Sequence, residues 1–266
     1  MLKNNMSKGY ALLSFDIEEF DVPCEYGYSM TLEEQISLSE QGMVIVLDIL
    51  KEKNVKATFF CTKNIAINAQ SIIKRLIDEG HEIASHGCNH AHPQVGDEQD
   101  SKRILETEFN INVKGYRQPR MQFVNVERLG GYKYNASLNP TFIPGHYTNH
   151  RASRVIFKDG NIVTIPSSVS PRLRIPLFWL SLHHFPLCAY DYLMKRTLKH
   201  DGYFNTYFHP WEFVDLSSFK KLPYVIKHNS GRVMVYRLKN IIDSLNKFGG
   251  EFITYNEMIM NYKKSK

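Results

Sequence analysis

Apolar and polar positions change their spacing along the first third of the chain, from continuous apolar runs to helical stripes and back. The apolar run at 10–16 ends in acidic residues, which is typical of a buried parallel strand whose carboxyl end opens onto a site. A helical stripe at 39–54 and an apolar run at 55–61 follow it. A second stripe at 68–80 ends at a glycine and leads into a short run at 81–86. The pattern predicts two strand–helix units and the start of a third.

The alternation continues over the rest of the chain, with one interruption. Thr254 and Glu257 have the spacing of a capping box, which predicts the start of a last helix. The other elements that the pattern predicts are helices at 100–109 and 233–247 and strands at 113–117, 132–138, 202–209 and 251–254.

The interruption is the segment at 139–186, which contains many prolines and aromatic residues and has weak periodicity. We interpret it as a loop-rich insertion near the mouth of a site. Its aromatic stretch at 176–180 is flanked by arginines, and we assign that stretch to a buried or site-covering position rather than to a membrane surface.

Repeated strand–helix units with polar residues at the strand ends predict an α/β fold, because helices must cover a parallel sheet. A doubly wound sheet and a barrel both fit this order. A parallel barrel with its site at the C-terminal rim is the first choice. Neither an internal repeat nor a Pro/Gly/Ser-rich linker divides the chain, so we predict a single domain over residues 1–266.

Composition and charge narrow the classes of partner. Hydrophobic residues make up 43% of the 266 residues and charged residues 23%, as in ordinary globular proteins. The 33 basic and 27 acidic residues give a net charge of +6, which favours an anionic partner. The basic residues form no run along the sequence, so nucleic acid is not predicted as a partner.

Two further features concern location. No stretch of the sequence approaches the ~20 apolar residues that a membrane-spanning helix needs, and the first residues lack the apolar run of a secretory signal. We therefore expect no transmembrane segment and a cytoplasmic protein. Four widely spaced cysteines form no CxxC pair and fit a reducing compartment: Cys24, Cys61, Cys88 and Cys188.

Candidate chemistry starts at the end of the first strand. Side chains alternate across a strand, so Asp16 and Glu18 should point to one side and Ile17 and Glu19 to the other. Two carboxylates on one side can ligate a divalent cation and accept a proton from water. A solvated acidic turn at a strand end is the alternative that this segment alone leaves open.

Histidines follow the third strand. His86 and His90 are four residues apart, so on a helical turn they would share one face and could bind one metal ion. Together with one of the carboxylates of Asp16 and Glu18 they would complete a set of one carboxylate and two imidazoles. Taken alone, an HxxxH pair is a weak pattern, and nearby His81 is a candidate for a structural histidine.

Two later strand ends also carry polar residues. Arg117 and Arg120 could hold a carboxylate in its ionised form or bind an anionic group of a substrate. His209, fixed by Pro210 and close to Trp211, suits a general acid beside a sugar-stacking ring. A histidine in a turn, with Trp211 in the core, is the alternative that this motif alone leaves open.

These motifs resemble those of the polysaccharide deacetylase family, the NodB-homology carbohydrate esterases. The segment at 80–90 is similar to the metal-binding motif of that family, and the segment at 56–60 to its second strand. The segment at 115–119 is similar to its arginine motif, and the segment at 209–212 to its final histidine motif. The four segments occur in the family's order.

The resemblance implies a distorted (β/α) barrel of about seven parallel strands, one divalent metal ion with zinc as the first choice, and hydrolysis of an N-acetyl group on a sugar. Carried over by motif, Asp16 would be the general base and His86 and His90 metal ligands. Arg117 would tether Asp16, and His209 would be the general acid.

Two positions depart from the family's pattern. The family has adjacent aspartates in its first motif, whereas Asp16 is followed by Ile17; Glu18 is therefore our third metal ligand. An aspartate often orients the final histidine, and the local candidate for that position is Asn135. We group Asn135 with Trp211 and Arg120 as substrate-binding residues.

The resemblance leaves two rival functions open: a metal-free carbohydrate-binding protein on the same scaffold, and a hydrolase of a non-sugar amide. For the deacetylase, we expect an N-acetylated sugar substrate from a polysaccharide or its precursor. A nucleotide-linked or lipid-linked sugar would fit the expected location, and the positive charge would suit its phosphates.

Overall fold

The computed structural model describes residues 9–264. Its strands are β1 (Gly9–Ile17), β2 (Thr58–Cys61), β3 (Glu82–Ser85), β4 (Gly115–Tyr116), β5 (Tyr134–Asn135), β6 (Phe142–Ile143), β7 (Tyr147–Thr148), β8 (Phe157–Asp159), β9 (Ile162–Thr164), β10 (Tyr203–Phe208) and β11 (Gly250–Phe252). Its α-helices are α1 (Val22–Glu25), α2 (Leu32–Lys53), α3 (Lys63–Asn68), α4 (Gln70–Asp78), α5 (Asp97–Phe109), α6 (Trp179–His184), α7 (Leu187–Asp201), α8 (Tyr224–Lys227), α9 (Arg232–Lys247) and α10 (Tyr255–Lys264). Within this part of the chain, none of the helices combines the length and apolar character needed to cross a bilayer.

Seven parallel strands form the main sheet, in the order β10–β1–β2–β3–β4–β5–β9. Strand β8 extends it as an antiparallel edge, and β11 pairs with the first residues of β1. This arrangement confirms the predicted α/β barrel of about seven parallel strands.

The sheet curls until its two ends meet. Val163 of β9 and Tyr203 of β10 lie in one buried cluster with residues of the strands between them. Asn205 bridges the seam, because its Nδ2 donates to the carbonyl of Pro166 at 2.8 Å and its own carbonyl accepts from the Ser168 amide at 2.9 Å. Side-chain and backbone hydrogen bonds of Asn205 therefore close the barrel, where no regular ladder joins β9 to β10.

Alternation along β1 produces two apolar layers. Leu12 points into the barrel, whereas Leu13, Phe15 and Ile17 pack outward under the helices. Helix α2 supplies much of the outer layer, including Leu47. The layers leave the polar residues at the carboxyl end of β1 to face the interior of the barrel.

Some of the predicted helix ends agree with the structure, and others differ by several residues. Helix α2 begins at Leu32, well before the predicted residue 39, with a capping box in which Thr31 Oγ1 accepts from the Glu34 amide at 3.2 Å. The stripe at 68–80 belongs to α4, which ends at Asp78. The predicted capping box of the last helix is present, because Glu257 accepts from the Thr254 amide at 2.8 Å.

The loop-rich segment at 139–186 contains more regular structure than its weak periodicity indicates. It includes the hairpin of β6 and β7, the helix α6 and, in β9, the seventh strand of the barrel. The stretch at 176–180 is partly interior: Leu177 and Phe178 are buried, and Trp179 packs against the core. The segment therefore lines the barrel as well as covering it.

Candidate active site

The carboxylates of Asp16 and Glu18 at the carboxyl end of β1 face the barrel interior, as the alternation predicts. Asp16 contacts Arg117, and Glu18 contacts two histidines, while Ile17 between them packs in the outer core. Glu19 points elsewhere and accepts a hydrogen bond from Thr62 Oγ1 at 2.9 Å. The acidic cluster is thus divided between the site and a structural contact.

Glu18, His86 and His90 form the candidate metal centre. Glu18 Oε2 lies 3.1 Å from His86 Nε2 and 3.2 Å from His90 Nε2, and the three ligand atoms lie within 4.8 Å of one another. All three residues are buried. Burial raises the pKa of Glu18, but the charges of His90 and His209 and the hydrogen bond of His86 outweigh it and lower the pKa to about 2.

The donor set fits a divalent metal ion. One carboxylate oxygen and two imidazole nitrogens are common zinc ligands, and a tetrahedral zinc site separates its ligand atoms by about 3.3 Å. The two distances from Glu18 Oε2 agree with that spacing. The Nδ1 of His86 donates to the carbonyl of Arg117 at 2.8 Å, which directs Nε2 towards Glu18.

An aspartate that the sequence analysis missed holds the second histidine. Asp21 Oδ1 lies 2.7 Å from His90 Nδ1, so His90 presents its Nε2 to Glu18. Arg120 ion-pairs Asp21 at 3.0 Å and Glu25 at 2.5 Å. Its guanidinium therefore already has two carboxylate partners, and its predicted role in binding substrate stays a prediction.

Arg117 fixes Asp16 from inside the barrel. The fully buried guanidinium ion-pairs Asp16 Oδ1 and donates to Ser14 Oγ at 3.0 Å and to the Tyr255 hydroxyl at 2.8 Å. It also lies 3.9 Å from the ring centre of Phe60. The other carboxylate oxygen of Asp16, Oδ2, points towards His86 and lies 4.0 Å from its Nε2.

The two ring nitrogens of His209 face different groups: Nε2 faces the candidate metal centre, and Nδ1 faces the carboxylate of Glu212. Its Nε2 lies 3.9 Å from Glu18 Oε1, and its Nδ1 lies 2.8 Å from Glu212 Oε1. Burial lowers the pKa of His209, but the charges of Glu18 and Glu212 and the hydrogen bond to Glu212 outweigh it and raise the pKa. The geometry suits a protonated imidazole whose Nε2 points at the site.

The prediction that Asn135 orients His209 is wrong. Tyr134 and Ala136 point into the barrel, so Asn135 between them points to the opposite face. There its Oδ1 accepts hydrogen bonds from the amide and hydroxyl of Ser137, at 3.0 and 2.6 Å. Glu212 occupies the orienting position instead.

The structure also corrects the expectation that a sugar stacks on Trp211. The indole is 2% exposed and stacks on both Phe20 and His209, with ring centres 5.1 and 4.8 Å apart. Its Nε1 lies 3.4 Å from Glu18 Oε1 and donates to it. Trp211 therefore packs the site residues, and its ring is not open to a ligand.

Comparison with known proteins gives a family match in the N-terminal half and a fold match over the whole chain. Residues 3–126 match the model of a family described as polysaccharide deacetylase. The peptidoglycan-N-acetylglucosamine deacetylase of Bacillus cereus is 38% identical over 73 residues, which cover 27% of this chain and 26% of that relative. The match therefore spans about a quarter of the relative's length.

Two solved structures share the fold. A candidate polysaccharide deacetylase from Mycobacterium smegmatis has a TM-score of 0.65 at 18% identity, covering 100% of this chain and 93% of that one. Puue allantoinase has a TM-score of 0.64 at 13% identity, covering 93% and 88%. At these identities the likeness concerns the fold.

Proposed function

Because residues 3–126 of this chain match the polysaccharide deacetylase family model, we propose that the protein is a metal-dependent hydrolase that removes an N-acetyl group from an amino sugar. One observation carries the proposal. Asp16, Glu18, His86, His90, Arg117 and His209 come from four separate strand ends and meet in one buried centre.

Glu18, His86 and His90 would hold the metal ion, with zinc the first to test. When bound, such an ion polarises a carbonyl group and lowers the pKa of water. Asp16, tethered by Arg117, would take a proton from the water that attacks the acetamide carbon. As the C–N bond breaks, His209 would give a proton from Nε2 to the leaving nitrogen, so that acetate and a free amine form.

For the carrier of the sugar, we propose an anionic group, as in a nucleotide-linked or lipid-linked precursor. The net charge of +6 supports this choice. A free diphosphate-sugar should then compete with a neutral N-acetylated oligosaccharide for the site. An absence of competition at millimolar concentration would remove the anionic carrier and leave the deacetylase proposal intact.

The test of the function joins metal content to acetate release. We expect about one divalent metal ion per wild-type chain by mass spectrometry, and loss of the metal in His86→Ala and Glu18→Ala. His92→Ala is the matched control, since His92 is an exposed histidine outside the centre. Asp16→Asn should keep the metal and lose acetate release by about 10²–10⁴-fold.

Two results would contradict the proposal. A wild-type protein that takes up no divalent metal, even from excess zinc, would exclude the metallohydrolase. A metal-loaded protein that binds N-acetylated sugars and releases no acetate would instead favour a binding protein on this scaffold.

A further inference from the structure

A second buried histidine lies behind the His209–Glu212 pair. His183, on α6, places its Nε2 2.9 Å from Glu212 Oε2, and both side chains are completely buried. The other oxygen of the same carboxylate, Oε1, lies 2.8 Å from His209 Nδ1. Glu212 thus bridges two imidazoles, one that faces the candidate active site and one that does not.

The two ring nitrogens of His183 each face a hydrogen-bond acceptor. Its Nε2 faces the Glu212 carboxylate, and its Nδ1 faces the carbonyl oxygen of His228. Burial raises the pKa of Glu212, but the hydrogen bonds and charges of the two histidines outweigh it, so the carboxylate is ionised. Because a carboxylate oxygen can only accept, Nε2 of His183 donates the hydrogen bond that holds Glu212 Oε2.

The surroundings hold His183 in one place. Arg237 donates to the carbonyls of Leu182 and Phe185 at 2.8 Å each, which closes the carboxyl end of the short helix. Asn229 Nδ2 donates to the carbonyl of His183 itself at 2.5 Å. Trp179 packs edge-on against both His183 and His209, with ring centres 5.7 and 5.5 Å apart.

We propose that His183 is a positioning residue that fixes the Glu212 carboxylate and thereby aims Nε2 of His209 at the leaving nitrogen. Without His183, Glu212 Oε2 would be buried without a partner. An unpaired buried acceptor costs free energy, which favours rotation of the Glu212 side chain away from His209. The proposal rests on the proposed function. It gives the loop-rich segment at 139–186 a chemical role, because that segment supplies His183.

Two substitutions at one position test the proposal. In His183→Gln the amide nitrogen can replace Nε2 and still donate to Glu212. In His183→Asn the shorter amide can replace only Nδ1, which faces His228. We expect kcat for acetate release to fall by about 10–100-fold in His183→Asn with KM changed less than about 3-fold, and His183→Gln to recover most of the loss.

The control is His184→Asn, on the same helix, because the Nε2 of His184 contacts the carbonyl of Val225 and not Glu212. In a Glu212→Gln background, His183→Asn should have no further effect on kcat. Equal kcat values in His183→Gln and His183→Asn, whether both high or both low, would overturn the proposal.

A spectroscopic measurement separates this proposal from the proposed function. In the metal-loaded protein labelled with ¹⁵N-histidine, we expect Nε2 of His183 and Nδ1 of His209 each to carry a proton, because each faces an oxygen of Glu212. In His183→Asn, the Nδ1 signal of His209 should shift, because its hydrogen bond to Glu212 weakens. An unchanged His209 spectrum would overturn the positioning role, whereas the expected spectra without acetate release would reject only the deacetylase function.

Discussion

His81 is a buried histidine before β3, outside the set of residues that meet in the candidate active site. Its Nδ1 accepts a hydrogen bond from the Ala57 amide at 3.2 Å, which requires the unprotonated nitrogen. Burial and the charge of Lys56 lower its pKa from 6.5 to about 4, against the opposing effect of Glu79. The fold therefore favours the neutral form of this side chain.

This shift predicts a loss of stability in acid. Between pH 6.5 and 4 the unfolded chain binds more protons at His81 than the folded one, so the stability from this group is full above pH 6.5 and falls as the pH drops. We expect the wild type to lose about 2 kcal/mol more unfolding free energy between pH 7.5 and 5 than His81→Gln does, measured in urea. His146→Gln, at an exposed histidine, is the control and should follow the wild type. Equal pH dependence in the wild type and His81→Gln would contradict the prediction.

At the scale of single residues, sequence could predict the members of the site better than their partners. Asp16 and Glu18 follow from alternation along a strand, which is a local property. The contact of Glu212 with His209 could have been predicted, because the two residues have the spacing of a capping box. In the structure Glu212 accepts a hydrogen bond from the His209 amide at 2.6 Å. Asp21 reaches His90 across 69 residues of sequence, and no local pattern encodes such a contact.

At the scale of elements, α2 holds the turn that carries His209. Gly42 lies in the middle of this helix, where an added Cβ would be 1.9 Å from the carbonyl oxygen of Pro210. The glycine lets the helix approach the backbone of the 3-10 turn Pro210–Phe213, which directly follows His209. A glycine in a helix interior usually lowers stability, so here close packing gives the reason for it.

Gly42→Ala should therefore destabilise the protein, although alanine is the better helix former. The added methyl group must push the helix and the turn apart, and we expect a loss of about 1–3 kcal/mol in unfolding free energy. Acetate release should fall as well, because the same turn sets the position of His209. Gln41→Ala, at the exposed neighbouring position, is the control. A Gly42→Ala protein as stable and active as Gln41→Ala would show that the packing is loose.

At the scale of the whole molecule, the barrel depends on a side chain at its seam. Asn205 joins β10 to the segment after β9, and its Oδ1 also accepts from the Tyr255 hydroxyl at 2.5 Å. The sequence predicts six of the seven parallel strands. It misses β9, because three residues, Ile162–Thr164, within a weakly periodic segment give no pattern long enough to read.

Asn205→Leu should open this seam. The change leaves the Pro166 carbonyl and the Tyr255 hydroxyl with fewer buried partners, and we expect a loss of about 2–4 kcal/mol in unfolding free energy. Chemical denaturation of the variant beside Asn246→Ala, at an exposed asparagine of α9, measures the difference. A loss below about 0.5 kcal/mol would mean that the backbone contacts of Ser168 close the barrel alone.

The hydrogen bond between Arg117 and Tyr255 also has a consequence for synthesis of the chain. The two residues are 138 positions apart, so a ribosome adding about 5–20 residues per second makes the second on the order of ten seconds after the first. During that interval every residue of the proposed metal centre already exists in the nascent chain, while the guanidinium beside Asp16 lacks one of its partners. The candidate active site is therefore completed only after the residues that would give it its chemistry have been made.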